Sequence, residues 1–234
     1  RRRPPCRSCP SSERRAVRRQ ILCFGDSNTY GYCADPADCA DGGTRFSEEE
    51  RWTGRLQAAL GPAYRIIEEG LPGRTTVFED PVEEGLRGLD YLVPCLKSHA
   101  PVDLLVVMLG TNDVRACFNS SPVVICRGME RLLRLAQQVP CWGPAGPKFL
   151  LLPPAPLPEA VEQSGSAREV MGPGCAEKSR ALPELYRQLA EQLGCGYFDP
   201  APYVEYNAVD HMHLTRRAHA RLAEALVSAV TGMG

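Results

Sequence analysis

No stretch of the 234-residue chain is apolar for long enough to cross a bilayer, so no membrane-spanning helix is expected within it. Residues 1–20 lack the apolar centre of a secretory signal; they hold eight Arg against one Glu. No Gly-rich loop has a phosphate-binding form, and His, Cys and acidic residues do not recur at metal-ligand spacing. Neither a cofactor nor a metal is therefore expected. Residues 21–234 also lack a basic surplus, with 19 Lys and Arg against 27 Asp and Glu. An acidic body argues against nucleic acid as a partner. Internal repeats are absent, and the length suits one domain with one large core.

Cysteine, by contrast, is abundant, with eleven residues scattered rather than spaced as a disulfide framework. Most read as reduced, small core residues of an intracellular, cytoplasmic protein. Cys6 and Cys9 form a C-x-x-C pair without a second Cys or His pair to complete a site. The basic leader, residues 1–20, reads as a disordered tail, with organelle targeting as the alternative. The folded domain is expected over residues 21–234.

Apolar runs alternate with helical patterns. Strands are expected at 21–24, 64–70, 103–109, 148–152 and 196–199. Ser47 and Glu50 have capping-box spacing, which predicts a helix from there to about Leu60. Further helices are expected at 89–98, 122–138, 182–193 and 216–230, and Pro153–Cys175 as a long Pro- and Gly-rich loop. Such alternation implies βαβ units and a parallel sheet covered on both faces. The expected fold is α/β: a flavodoxin-like three-layer α/β/α sandwich with a five-stranded parallel sheet.

The first strand runs into Gly25-Asp26-Ser27. A serine there stands at the carboxyl edge of the sheet, where open α/β folds bind ligands. Ser27 is the candidate nucleophile, and it needs a base. His213, three residues after Asp210, can supply one, with Asp210 fixing tautomer and orientation. A developing oxyanion needs donors, and Asn112, at the end of the third strand, can be one. His211 competes with His213, but it adjoins Asp210, so its ring is expected to point away. His99 and His219 are expected to be structural.

These pieces together resemble the SGNH, or GDSL, hydrolase family. Gly25-Asp26-Ser27, Gly73 within Gly70-Leu71-Pro72-Gly73-Arg74, Gly110-Thr111-Asn112-Asp113 and Asp210-x-x-His213 follow its four blocks in order. Arg51-Trp52-Thr53-Gly54 and Ile67-Glu68-Glu69-Gly70-Leu71 look most like its bacterial arylesterase and acyltransferase branch. The resemblance implies a metal-independent serine esterase with Ser27, Asp210 and His213 as triad. It implies oxyanion donors from the Ser27 and Gly73 N–H groups and the Asn112 side chain. It also implies a small-molecule ester as partner, and the branch includes homo-oligomers. Asn28 and Tyr32 depart from the branch pattern and are expected to touch substrate. Val161 and Val170, in the long loop, are expected to wall a modest acyl pocket. That predicts short acyl esters, with an alcohol competing with water as acceptor. The alternative class is a catalytically silent module that binds a small ligand or carbohydrate in the same crevice.

Overall fold

The computed structural model describes residues 18–233. The Cys6 and Cys9 pair and most of the basic leader lie outside them. Strand β1 (Arg19–Gly25) begins two residues before its apolar run, because Arg19 and Gln20 already pair with Tyr64 and Arg65. A short helix α1 (Ser27–Tyr30) follows at once. The remaining strands are β2 (Tyr64–Gly70), β3 (Leu104–Met108), β4 (Phe149–Leu152) and β5 (Gly196–Tyr197). All pair in parallel, in the order β2-β1-β3-β4-β5.

Alternation along the strands builds the layers. Leu22, Phe24, Leu105, Val107 and Leu151 face one side. There they meet α3 (Gly88–Ser98), α4 (Pro122–Gln138) and α6 (Cys175–Leu193). Ile21, Cys23, Leu104, Val106 and Leu150 face the other side. They pack on α2 (Trp52–Leu60) and α7 (Arg216–Gly232). The expected three-layer α/β/α sandwich is what forms. Chain order reverses between β1 and β3, and that reversal opens a crevice at their carboxyl ends. Ser27 follows β1 and Asn112 follows β3, so both stand at this opening.

Three local expectations fail for physical reasons. Helix α2 starts at Trp52, not near Ser47. Glu50 does reach back to the Ser47 N–H at 2.9 Å, but this half of a capping box closes a turn ahead of the helix. The Trp52 N–H is instead accepted by His219 Nδ1 of α7, 3.1 Å away. Helix α6 begins at Cys175 rather than Leu182 and carries Pro183 in its interior. Finally, residues 153–175 are not a plain loop. A 3₁₀ turn (Glu159–Glu162) and helix α5 (Gly165–Met171) interrupt them, and Leu157, Val161, Ala167 and Met171 sink into the core. Among the described residues, no helix is long and apolar enough to cross a membrane.

Candidate active site

The turn from β1 into α1 is tight. A Cβ at Gly25 would collide with Thr29 Oγ1, so the position admits only glycine. Asp26 caps α1, its Oδ1 accepting from the Asn28 N–H at 2.9 Å. Burial pushes the Asp26 carboxyl up, against the pull of the Asn28 N–H. Asp26 thus shapes the turn that raises Ser27 to the cleft floor.

Ser27 Oγ lies 2.9 Å from His213 Nε2, and His213 Nδ1 lies 2.6 Å from Asp210 Oδ2. A carboxylate partner assigns the proton to Nδ1, which leaves Nε2 as the acceptor facing the serine hydroxyl. Burial works to raise the Asp210 pKa. The His213 hydrogen bond and charge, the Met212 N–H and the Asn207 amide outweigh it and hold Asp210 down at about 2. The acid is therefore ionised whenever the imidazole needs it.

Asn207 carries no signal in the sequence, yet it holds the Asp210–His213 loop. Its Nδ2 donates to Asp210 Oδ1 at 2.7 Å and to the His213 carbonyl at 2.9 Å. Its Oδ1 accepts from the N–H groups of Val209 and Asp210, at 2.8 and 3.0 Å. Every donor and acceptor of this buried amide is turned on the loop.

Asn28, expected at the substrate, does other work. Its Nδ2 donates to the Met212 carbonyl at 3.1 Å, and its Oδ1 accepts from the Leu214 N–H at 3.0 Å. These residues flank His213, so Asn28 braces His213 against the helix that bears Ser27. Tyr32 does line the cleft, its ring centroid 4.4 Å from that of His213. His211 takes a left-handed φ of 59° and lies off the cleft.

Gly73 and Asn112 stand across from the triad. Leu71-Pro72-Gly73-Arg74 is a turn closed by the Arg74 N–H on the Leu71 carbonyl at 3.1 Å. Pro at its second position and Gly73 at the third, with φ of 81°, make it type II. In that turn the Gly73 N–H points outward. Among the described residues, neither it nor the Ser27 N–H has an internal acceptor. Asn112 Nδ2 donates to the Arg74 carbonyl at 3.0 Å. One amide hydrogen is thereby fixed and the other is left for the cleft. Behind it, Asp113 Oδ1 accepts from the Thr76 N–H at 2.9 Å and from its hydroxyl. Burial raises Asp113 to about 6 despite those bonds.

The cleft over these groups has a volume of about 560 Å³. Pro72, Val82, Leu86, Val170 and Met212 give it apolar wall. Asp80, Glu83, Arg115 and Glu169 interrupt that wall with charge. Arg115 pairs with Asp80 and donates from Nε to the Val170 carbonyl at 3.2 Å, which joins α5 to the 72–87 loop. Of the two expected wall residues, Val170 is 46% exposed and on the cleft. Val161 is 0% exposed in the core, and the structure does not bring it to the site. The sequence offered no hint of Asp80, Val82 or Arg115, because only the fold carries their segments to the rim.

A possible ion-binding group also escaped the sequence spacing. Glu69, Cys95 and His99 bring one ligand atom each within 4.8 Å of one another. His99 Nε2 and Glu69 Oε1 are 2.7 Å apart, a direct hydrogen bond that leaves no room for an ion between them.

The sequence profile of the GDSL-like lipase/acylhydrolase family matches residues 23–221. No curated protein matches the chain. A carbohydrate acetylesterase from Sinorhizobium meliloti is 35% identical, covering 93% of this chain and 100% of its own, with a TM-score of 0.81. An aryl esterase from M. smegmatis is 33% identical, covering 92% of this chain and 100% of its own, with a TM-score of 0.80. A lipolytic G-D-S-L protein from Veillonella parvula shares the fold at 15% identity, covering 91% and 98%, with a TM-score of 0.63.

Proposed function

The chain belongs to the GDSL-like lipase/acylhydrolase family, and from that premise we propose a serine esterase of short-chain acyl esters that works through an acyl-serine intermediate. The observation that carries this reading is the continuous hydrogen-bond chain Ser27–His213–Asp210 at the floor of the cleft.

Ser27 Oγ attacks the ester carbonyl as its proton passes to His213 Nε2. Asp210 holds the imidazolium that results. The carbonyl oxygen becomes an oxyanion and takes hydrogen bonds from the Ser27 and Gly73 N–H groups and from Asn112 Nδ2. The tetrahedral species collapses, and the leaving alkoxide departs with the proton held on Nε2. A water, or an alcohol, then gives its proton to the same nitrogen, attacks the acyl-serine and releases acid or a new ester. Serine regains its proton. None of these steps calls on a metal.

Cleft chemistry supports a short acyl group. Each methylene gains about 0.8 kcal/mol only where it finds apolar surface. Here a long chain would have to cross Asp80, Glu83, Arg115 or Glu169. We therefore assign acyl groups of about two to six carbons, where the available apolar wall suffices. Aryl or simple alkyl leaving groups suit the open mouth. Sugar acetates and aryl esters are the first natural classes to try, since two of the similar solved structures are esterases named for those kinds.

A chain-length series of p-nitrophenyl esters tests the proposal. Turnover is expected to peak within the short acyl range and to vanish in Ser27→Ala, and an added alcohol is expected to yield transferred ester. A maximum at a long acyl chain overturns the size assignment. Acid as sole product removes the transferase part, and activity retained in Ser27→Ala removes the esterase itself.

A further inference from the structure

Arg74 is 3% exposed, yet its guanidinium has no ion-pair partner among the described residues. The nearby Glu69 carboxylate is taken by His99. Arg74 lies instead against two rings, 4.2 Å from the Phe24 centroid and 5.3 Å from that of Tyr91. Its Nη1 donates to the carbonyls of Gly25, at 3.0 Å, and Glu69. Among the described residues its buried Nε finds no acceptor. Burying a cation this way is costly, and the two rings repay only part of the cost. A fold that needed only packing here would gain from an apolar side chain of similar volume.

What Arg74 touches suggests why the charge is kept. Its N–H closes the turn that aims the Gly73 N–H outward. Its carbonyl fixes one hydrogen of the Asn112 amide. Its guanidinium grips the Gly25 carbonyl, two residues before Ser27, and the same carbonyl accepts from the Leu71 N–H at 3.1 Å. One residue therefore ties together the three segments that carry Ser27, Gly73 and Asn112. The contacts to the Gly73 turn and to Asn112 are made by its backbone, and the contact to the Gly25 carbonyl by its guanidinium.

We propose that Arg74 is the positioning residue of the oxyanion hole, setting the mutual spacing of its three donors from behind without touching substrate. The proposal rests on the reading of Ser27, Gly73 and Asn112 as those donors. Oxyanion donors work only when aimed at the place where charge develops, and misplacement by about 1 Å can cost about 10²-fold. Loss of the guanidinium leaves the turn held to the Gly25 carbonyl by the Leu71 N–H alone, while the triad, across the cleft, keeps its own supports in Asn28 and Asn207. The damage is then to the transition state rather than to substrate binding.

The test is a kinetic cycle on p-nitrophenyl acetate with Arg74→Ala, Asn112→Ala and the double variant, their folding checked by circular dichroism. Arg74→Ala is expected to lose about 10–100-fold in kcat with KM nearly unchanged. The double variant is expected to lose less than the product of the two single losses, because both substitutions damage the same set of donors. Millimolar guanidinium chloride is expected to restore kcat in Arg74→Ala, and to raise the double variant no higher than Asn112→Ala. Arg74→Lys keeps the charge on a shorter arm and carries the test should Arg74→Ala unfold; a lowered kcat at constant KM supports the proposal. Wild-type kcat in a folded Arg74 variant, beside a damaged Asn112→Ala, overturns it alone. So do losses in the two single variants that multiply in full. A silent Asn112→Ala instead removes the oxyanion reading, and this proposal with it.

Discussion

Replacing Asn207 by alanine should weaken the fold and the catalytic dyad together. Four hydrogen bonds disappear, at 2.7, 2.9, 2.8 and 3.0 Å, and one of them is to the Asp210 carboxylate. A neutral bond contributes about 1 kcal/mol net, and one to a charged group about 2. The gross loss is then about 5 kcal/mol. Water can replace the bond to the Val209 N–H, since Val209 is exposed. The bonds around Asp210 are buried and are not so easily replaced. A net cost of about 3 kcal/mol remains, which lowers Tm by about 6–12 °C in a chain of this size. Catalysis should fall as well. Asp210 Oδ1 keeps the Met212 and His213 N–H groups, both at 3.1 Å, but it loses its side-chain donor. Its pKa then rises and the imidazole is less firmly oriented, so kcat should drop about tenfold or more with KM little changed. Scanning calorimetry and ester turnover on the purified variant read the two effects. A Tm within about 2 °C of wild type, with normal kcat, would refute the assignment of Asn207 as the holder of the loop.

The two neighbouring histidines should behave very differently. His213→Ala is expected to be as damaging as loss of Ser27, because triad members act as a unit, while His211→Ala keeps most activity; steady-state turnover of both variants checks this, and the reverse result moves the base. Acid should expose the Asp210 contribution. Its pKa is depressed to about 2 in the fold, so its share of stability, about 2 kcal/mol, is present above about pH 4 and is lost as pH falls toward 2. The difference in Tm between wild type and Asp210→Asn should therefore shrink over that window, and a constant difference contradicts the pairing.

Much of this was legible along the chain wherever the signal is local. The β1 run ending in Gly25-Asp26-Ser27, the all-apolar β3 and the Asp210-x-x-His213 spacing announce themselves within a few residues. What stayed hidden depends on contacts between distant residues. His219 caps α2 from α7, so no pattern near Ser47 could mark the true start of the helix at Trp52. Asn28 looks like a residue beside a nucleophile, and only the approach of Met212 and Leu214 turns it into a brace. Val161 was misplaced because an apolar residue among prolines suggests a loop wall, whereas a 3₁₀ turn delivers it to the core. Arg115 and Asp80 are 35 positions apart, and nothing short of the fold shows that they pair at the rim. Asn207 is hidden in the same way. Its neighbours in sequence are unremarkable, and its role lies wholly in how the loop closes on it.

The most direct test of the account is covalent labelling by a fluorophosphonate, followed by mass mapping of the adduct. A serine activated by His213 across 2.9 Å should displace fluoride and carry the phosphonyl group on Ser27 alone. Labelling should disappear in Ser27→Ala and fall sharply in His213→Ala. An adduct on another residue, or no adduct on folded protein that still binds small esters, would contradict the esterase assignment and leave a silent binding module.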